Sequence, residues 1–443
     1  MKRIMRGILS LLLAAVCVTV PFSASASNYD IDFKLNCGTV YMVNTDTKTE
    51  MYAYNADVKR YPASTTKIMT YIVTVESITD IKNTKVDIKS DIIHSLDGTE
   101  SSTAGLEEYI GKQLSVYDLL CCLMIKSGND AAMVLADYVG KGNVAAFADL
   151  MNKKAKELGC TGTHYVNPHG LHDEEQYTTA KDLYKITEYA MGLAYFTEIC
   201  SMSSYYLPDS DYPLVATNYL IDEGRGGEYY YPYATGIKTG TTDEAGYCLV
   251  ASAVRDGYSY VCIALDAPCV DSDGNWIDDN GAMWDCINMF DWAFDNFEIR
   301  TVVDKETPVC SVELKSAWNK DSLLLIPESN CSAILPYYAK SSDVIVTPTV
   351  PDSVEAPVKK GSLIGTAEIT YNDEVLATIN LVASESVDRS EVVKVTNTVK
   401  TAAFSAWVMV PLITLAVLFV AYIILVTILK RRTERQKARN NKL

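Results

Sequence analysis

The feature that most limits how this 443-residue chain can fold is an uncharged, apolar run near its carboxyl end. The run extends from Phe404 to Leu429, and the basic segment 430–443 follows at once. A helix of that length crosses a hydrocarbon core of about 30 Å. Because lysine and arginine are retained on the cytoplasmic side of membranes, we predict a transmembrane helix over 404–429 and a basic cytoplasmic tail over 430–443.

The amino terminus is typical of an export signal. Lys2, Arg3 and Arg6 precede an apolar run, and the small residues at 24–26 provide a cleavage site. We therefore predict a removable signal peptide over 1–26. Together with the carboxyl-terminal anchor, this signal places the intervening chain outside the cytoplasm.

The charge of the chain excludes one class of function. The formal net charge is −17, although both ends are basic, so the segment between them is more acidic still. Nucleic-acid binding needs a basic surface, and such a segment does not provide one. The length is sufficient for two domains, since single cores seldom grow past roughly 250 to 300 residues.

A candidate nucleophile lies in the first third of the chain. Ser64 is the only serine followed three residues later by a lysine, Lys67. Three positions are about one helical turn, so the two side chains share a face. Pro62 is a helix start signal, and we predict a helix that begins near Ser64, with Lys67 as its base. Serine and lysine are common residues, so this pair alone is weak and needs context.

Two further patterns supply that context. Helices are predicted over 115–126 and 130–139, and they flank a short loop formed by Ser127-Gly128-Asn129. From Ala234 the pattern changes to three strands joined by short turns, the first of which contains Lys238-Thr239-Gly240. With a hairpin over 38–54, these segments predict an antiparallel sheet and a helical subdomain.

The remainder of the chain has a different pattern. A helix is predicted over 283–297, and short β-rich segments with regular turn signals follow it up to about residue 390. We predict domains at 27–300 and 301–390, and a polar tether over 391–403. The expected fold class is α+β, followed by a small all-β domain and the transmembrane helix.

The three short motifs occur in the order, and on the predicted elements, of the penicillin-recognising serine enzymes. They are Ser64-Thr65-Thr66-Lys67, Ser127-Gly128-Asn129 and Lys238-Thr239-Gly240. With Asn167-Pro168-His169-Gly170-Leu171 and the sequence around 236–247, the chain resembles low-molecular-mass penicillin-binding proteins of the serine-type D-alanyl-D-alanine carboxypeptidase family. The resemblance covers roughly residues 30 to 300, and a weaker one extends to about 390. It implies the penicillin-recognising serine-enzyme fold.

The resemblance also implies a reaction and a set of roles. The terminal D-alanine would be removed from peptidoglycan pentapeptide stems through an acyl-enzyme, and β-lactams would acylate and inhibit the protein at the bacterial cell membrane. Ser64 would attack, Lys67 would accept its proton, and Ser127 would relay a proton to the leaving amine. The remaining implied site residues are Asn129, Lys238, Thr239, Gly240 and Thr241 for substrate binding, and the backbone N–H groups of Ser64 and Thr241 for the oxyanion hole. Neither a metal nor a cofactor is expected.

One departure and several alternatives stay open at this point. Many relatives carry an arginine after the strand that follows the third motif, whereas residues 265–290 contain no arginine or lysine. Recognition of the terminal carboxylate would then rest on Lys238, Thr239 and Thr241. The alternative functions are a D,D-endopeptidase acting on crosslinks and a noncatalytic membrane module that senses peptidoglycan or β-lactams. A β-lactamase is disfavoured because no Glu-x-x-Leu-Asn segment occurs between the second and third motifs.

Overall fold

The computed structural model describes residues 29–99, 101–318, 320–389 and 406–440. The predicted signal peptide and tether lie outside the described residues. The chain forms two compact units. Of the described residues, the first unit contains those up to Thr301 together with Ser332–Asp343 and Tyr371–Ala377, and the second contains those of Val302–Cys331 and Val344–Thr370 and those from Thr378 on.

An antiparallel five-stranded sheet forms the centre of the first unit, with strand order β2-β1-β9-β8-β7. The strands are β1 Thr39–Asn44, β2 Thr49–Tyr54, β7 Ala234–Thr242, β8 Gly246–Arg255 and β9 Tyr258–Ala267. Strands β8 and β9 are buried along most of their length because elements cover both faces of the sheet. Strand β7 occupies one edge of this sheet.

One face of the sheet packs against helix α8, Gly281–Asn296. Ile287, Phe290 and Trp292 of α8 belong to the apolar core on this side, and Trp284 packs against it partly buried. The helix also contains a fully buried carboxylate, Asp285, which accepts hydrogen bonds from backbone N–H groups of residues 36 and 37. These bonds fix the path by which the chain enters β1.

The other face carries the helical subdomain. Its helices are α1 Lys67–Ser77, α2 Ser90–His94, α3 Val116–Met124, α4 Asn129–Val139, α5 Val144–Glu157, α6 Ala180–Met191 and α7 Phe196–Cys200. Two short antiparallel pairs accompany them: β3 Lys85–Asp87 with β4 Gln113–Ser115, and β5 Ser204–Tyr205 with β6 Leu214–Val215. Ser115 caps α3 through a reciprocal pair of hydrogen bonds with Asp118, as its position predicts.

The start of α1 differs from the prediction. Ser64 was expected at the helix N-terminus, but it lies in a 3-10 turn, Ala63–Thr66, and the α-helix begins at Lys67. The N–H and the hydroxyl of Thr65 both donate to the carbonyl of Pro62, and this i to i+3 pattern tightens the turn. Ala63 adopts a left-handed backbone conformation, with φ of 43°. The nucleophile therefore sits on a constrained turn.

The all-β part of the chain contains a six-stranded sheet with order β14-β16-β17-β12-β11-β15. Its strands are β11 Cys310–Lys315, β12 Ser322–Pro327, β14 Val344–Thr349, β15 Ser353–Glu355, β16 Leu363–Tyr371 and β17 Glu374–Ala383. A further pair joins β10 Phe297–Val303 to β13 Cys331–Pro336. The sequence did not predict β10 and β15. The α+β class and the all-β segment are confirmed.

Helix α9, Ala406–Asn440, ends the described chain. Its segment Met409–Gln436 is exposed, with a mean hydropathy of 3.0 in its most apolar stretch, and is long enough to cross a membrane. The helix runs further into the basic residues than the predicted span 404–429 and includes Pro411. It is a candidate membrane anchor.

Candidate active site

Ser64 and Lys67 are in direct contact. The 3-10 turn leads straight into α1, and the Nζ atom of Lys67 lies 2.8 Å from Oγ of Ser64. Lys67 is fully buried, whereas Ser64 is half-buried at the wall of a cleft. The spacing of three residues thus places the amine beneath the hydroxyl, as the sequence predicts.

The other contacts of the Lys67 amine orient its lone pair. Nζ lies 2.6 Å from Oδ1 of Asn129 and 2.6 Å from the backbone carbonyl oxygen of His169. Both oxygens are acceptors only, so they take the two N–H groups of a neutral amine. When the amine is neutral, its lone pair takes the remaining direction, toward the hydroxyl of Ser64, which then donates; when it is charged, Nζ donates to Oγ of Ser64 instead. The geometry therefore suits proton transfer from Ser64 to Lys67.

The electrostatic surroundings favour that neutral amine. Burial is the main cause that lowers the pKa of Lys67 well below its ordinary value, and the positive charge of Lys238 lowers it further. The carboxylate of Asp130 acts in the opposite direction. Burial, with a smaller contribution from Lys67, lowers the pKa of His169 to about 3, so this ring stays uncharged beside the amine.

Ser127 and Lys238 form the second contact pair. The loop between α3 and α4 presents Ser127 in a left-handed backbone conformation, with φ of 63°. Nζ of Lys238, on β7, donates to Oγ of Ser127 over 2.9 Å and to the backbone carbonyl of Thr239 over 2.8 Å. Lys238 is 1% exposed, and this burial lowers its pKa to about 7.

Strand β7 approaches the nucleophile closely at Gly240. A Cβ atom at this position would lie 2.8 Å from the backbone nitrogen of Ser64, so the strand passes only because glycine has no side chain. The neighbouring hydroxyl of Thr239 forms a hydrogen bond of 2.6 Å with Thr217. Thr241 is exposed and lines the cleft beside Ser64. The structure thus brings all the site residues predicted from the sequence to one place.

Two adjoining clefts meet at Ser64. The first has a volume of about 360 Å³ and includes Asn129, Leu171 and Glu244 in its lining. The second, of about 420 Å³, includes Ser127, Thr239 and Gly240. Ser64, Ser102, Thr241 and Trp276 line both. An extended peptide can therefore lie across the nucleophile with one part on each side.

Sequence reasoning missed several contributors to this site. The backbone carbonyl of His169, the hydroxyl of Thr217 and the indole of Trp276 were not predicted, and neither were the serines at 101 and 102. Of these contributors, only His169 lies in a segment that the sequence had singled out, because the loop 167–171 resembles the family. Gly170 is required there because a Cβ would lie 2.0 Å from the carbonyl oxygen of Ala63.

The second cleft is where the missing arginine of residues 265–290 bears on the structure. Among the described residues that line it, Tyr219, Tyr229, Tyr247 and Trp276 provide aromatic walls, and no arginine is present. Asp278 adds a carboxylate. The buried Lys238 does not line this cleft itself, but its Nζ atom contacts Ser127, which does.

Comparisons with known proteins agree with this geometry. Residues 24–269 match the family described as D-alanyl-D-alanine carboxypeptidase, and residues 297–389 match the C-terminal domain of penicillin-binding protein 5. The chain is similar to the D-alanyl-D-alanine carboxypeptidase DacF of Bacillus subtilis, with 27% identity over 88% of this chain and 96% of the relative. It is also similar to a D-alanyl-D-alanine carboxypeptidase of Streptomyces sp. K15, with 33% identity over 51% of this chain and 79% of that protein.

A solved structure extends the likeness to the fold. Penicillin-binding protein 5 from Haemophilus influenzae superposes with a TM-score of 0.65 and 25% identity, covering 82% of this chain and all of that one. The matched stretch of family sequence includes the serine, the two lysines and the loop that join at the cleft. The chain belongs to the serine-type D-alanyl-D-alanine carboxypeptidase family.

Proposed function

We propose that the protein removes the terminal D-alanine from peptidoglycan pentapeptide stems by way of an acyl-enzyme on Ser64. The observation that carries this proposal is the Lys67 amine, which is buried, contacts the Ser64 hydroxyl and has a pKa that burial lowers well below its ordinary value. A lowered pKa favours the neutral amine that a general base requires, and a serine without a base is a poor nucleophile.

In the acylation step, Oγ of Ser64 attacks the carbonyl carbon of the penultimate D-alanine while Lys67 accepts the hydroxyl proton. A C–O bond forms, and negative charge develops on the carbonyl oxygen. The backbone N–H groups of Ser64 and Thr241 stabilise that oxygen. One such donor typically contributes about 10²-fold to 10³-fold in rate.

Collapse of this intermediate breaks the C–N bond and releases D-alanine. Ser127 passes a proton to the leaving nitrogen, and the adjacent Lys238 ammonium supports that transfer and attracts the terminal carboxylate. Thr239 and Gly240 bind the leaving residue along β7, and Asn129 holds the amide of the acyl part. Water then attacks the ester and releases the shortened stem.

The proposed placement of the site rests on the predicted signal peptide and on the carboxyl-terminal helix. The exported segment 27–300 forms the catalytic domain, the β-rich segment 301–390 holds it away from the membrane, and α9 anchors it with residues 430–443 in the cytoplasm. The apolar, exposed length of α9 supports this arrangement. The enzyme then works at the outer surface of the bacterial cell membrane.

β-Lactams enter the same chemistry. Ser64 opens the strained ring amide and forms an ester that hydrolyses slowly, because the Glu-x-x-Leu-Asn segment that carries the base for water in β-lactamases does not occur between the second and third motifs. Purified full-length protein incubated with a fluorescent penicillin is expected to carry one covalent label, which Ser64→Ala abolishes. A labelled Ser64→Ala variant would overturn the assignment of the nucleophile.

The substrate itself is tested with isolated peptidoglycan stems. Mass spectrometry after treatment should show pentapeptides converted to tetrapeptides, each with the loss of one alanine, while crosslinked dimers stay intact. Cleavage of dimers without loss of alanine from monomers would replace the carboxypeptidase by the D,D-endopeptidase. A stable penicillin label with no change in any stem would favour the sensing module.

A further inference from the structure

Asp130 is a buried carboxylate next to the reaction site that the chemistry above does not use. It follows Asn129 at the start of α4 and is 1% exposed. Its two oxygens accept hydrogen bonds from the backbone N–H groups of Ala104, Leu106 and Ala131. Among the described residues no lysine, arginine or histidine forms an ion pair with it, so its charge rests on these backbone dipoles.

The bonds to residues 104 and 106 belong to a larger clamp. The backbone N–H of Asn129 donates to the carbonyl of Ser102 over 2.8 Å, and the Ser102 hydroxyl donates to the carbonyl of Lys126. The clamp is tight at Gly128, where a Cβ would lie 2.5 Å from Oδ1 of Asp130 and 2.9 Å from Cβ of Ala104. Segment 101–106 is thereby fixed along the second motif.

This segment reaches the reacting groups through Ser101. The side-chain amide nitrogen of Asn129 donates to Oγ of Ser101 over 3.0 Å, while its amide oxygen accepts from Lys67. The two bonds together allow only one orientation of the amide. Ser102, the next residue, lines both clefts beside Ser64.

We propose that Asp130 is a positioning residue of the reaction: it holds segment 101–106 against α4, and through Ser101 it fixes the Asn129 amide that contacts Lys67. This inference rests on the proposed function for its substrate. Asp130 directly follows the second motif. Its proposed task is to hold the side chains around it in place, which neither the Ser127 hydroxyl nor the Asn129 amide does.

The charge of Asp130 gives the proposal a distinctive readout. The charged or titratable groups that face Lys67 are Lys238 on β7, His169 on the loop 167–171 and Asp130 on α4, and His169 is neutral above a pKa of about 3. A negative charge favours the ammonium form, so Asp130 raises the pKa of Lys67. Its removal extends the neutral amine to lower pH.

The experiment compares Asp130→Asn, Asp130→Ala and Ser101→Ala in the full-length protein. The probes are diacetyl-L-Lys-D-Ala-D-Ala for kcat and KM from pH 5 to 9, and a fluorescent penicillin for the acylation rate. Asp118→Asn is the matched control, because Asp118 is also buried in the helical subdomain but caps α3 outside the clefts. Thermal unfolding of each variant is recorded in parallel.

We expect Asp130→Ala to lower kcat/KM on the order of 10²-fold through loss of alignment. Asp130→Asn keeps one acceptor and should move the acidic limb of kcat/KM to lower pH. Ser101→Ala removes one hydrogen bond and should lower kcat roughly fivefold with the acidic limb unchanged. Asp118→Asn should alter only the unfolding temperature.

The inference is overturned if Asp130→Asn leaves the pH profile unchanged, or if Asp118→Asn loses as much activity as Asp130→Ala. Should Asp130→Ala fail to fold, Asp130→Asn and Ser101→Ala still decide the matter. Should the wild-type protein cleave no peptide, the proposed function fails, while the penicillin acylation rates continue to test Asp130.

Discussion

The catalytic part of the chain and the six-stranded β-rich sheet differ in what their cores contain. Every buried polar or charged side chain among the described residues lies between Thr39 and Asp285, and these include Lys67, Asp130 and Lys238. The core of the β-rich sheet consists of apolar side chains, among them a fully buried leucine at 325.

This difference indicates that the two parts of the chain have different tasks. Burying an unpaired charge costs free energy, so a fold keeps one only where other groups stabilise it or where its altered pKa is used. Strands β11 and β12 instead alternate buried and exposed residues, the pattern of a sheet with one covered face. The first core thus contains the buried charges that the proposed reaction uses, and the core of the β-rich sheet consists of apolar contacts.

The largest expected effect comes from removing the buried base. Lys67→Ala should lower kcat for the diacetyl tripeptide roughly 10³-fold, since general-base catalysis contributes about 10²-fold to 10⁴-fold. Steady-state kinetics measure it. Lys89→Ala is the control, because Lys89 lies in the same subdomain with half of its side chain exposed, in an ion pair with Asp137. If Lys89→Ala lowered kcat as much as Lys67→Ala does, burial would not distinguish a catalytic lysine from an exposed one.

The next effect tests the β-rich core. Leu325→Ala should lower the free energy of unfolding by about 3 kcal/mol through loss of buried contacts and the remaining cavity. Activity of the folded protein on small peptides should not change. Leu324→Ala is the matched control, because this neighbour on β12 is 47% exposed and its loss should cost well under 1 kcal/mol. Chemical denaturation measures the unfolding free energy of both variants. A fall in kcat for Leu325→Ala would show that the β-rich core contributes to catalysis.

A smaller effect concerns the charge of Lys238. Below its pKa of about 7 the amine is an ammonium that attracts a carboxylate, and above that pH the attraction is lost. For a peptide ending in a free carboxylate, kcat/KM should therefore fall as pH rises through about 7, approaching tenfold per pH unit. The matching peptide with an amidated end should show a shallower alkaline fall, because it loses only the support that the ammonium gives to proton transfer. Identical profiles for the two peptides would mean that Lys238 does not recognise the carboxylate.

The smallest effect is expected for an ion pair that a surface lysine forms. Lys48 and Glu188 form an ion pair in which the side chains are 62% and 38% exposed. Glu188→Ala should change the free energy of unfolding by less than about 1 kcal/mol and leave kcat unaltered. Thermal unfolding at low and high salt checks this. A larger loss of unfolding free energy would show that the exposure of a lysine does not by itself predict how much its interactions contribute.

The sequence was sufficient to predict most of the fold. Alternating and helical patterns predicted the five strands of the first sheet and helices α1, α3, α4 and α8 to within a few residues, but not the short elements α2, α7 and β3 to β6. Strand β15 was missed because it is only three residues long, and β10 because it continues directly from a helix with no turn between them. Patterns of apolar residues report which face is covered, but they do not mark a change of element inside a continuous run.

The site was predictable where side chains carry the chemistry. Ser64, Ser127 and Lys238 were found by residue type and order, and their contacts follow from the fold. The carbonyl of His169 was not predictable, because every residue has one and its side chain gives no sign of the role. Ser101 was missed for a related reason, since a serine in a polar loop is ordinary until its partner is known.

The edge position of β7 has a consequence for which molecules the enzyme accepts. The backbone groups on the outer side of an edge strand are not committed to another strand, and they can pair with an incoming chain only if that chain is extended. Acceptance then depends on shape as well as on the terminal residues. A cyclised peptide with the same D-alanyl-D-alanine end, locked into a turn, should therefore be a poor substrate compared with its linear form.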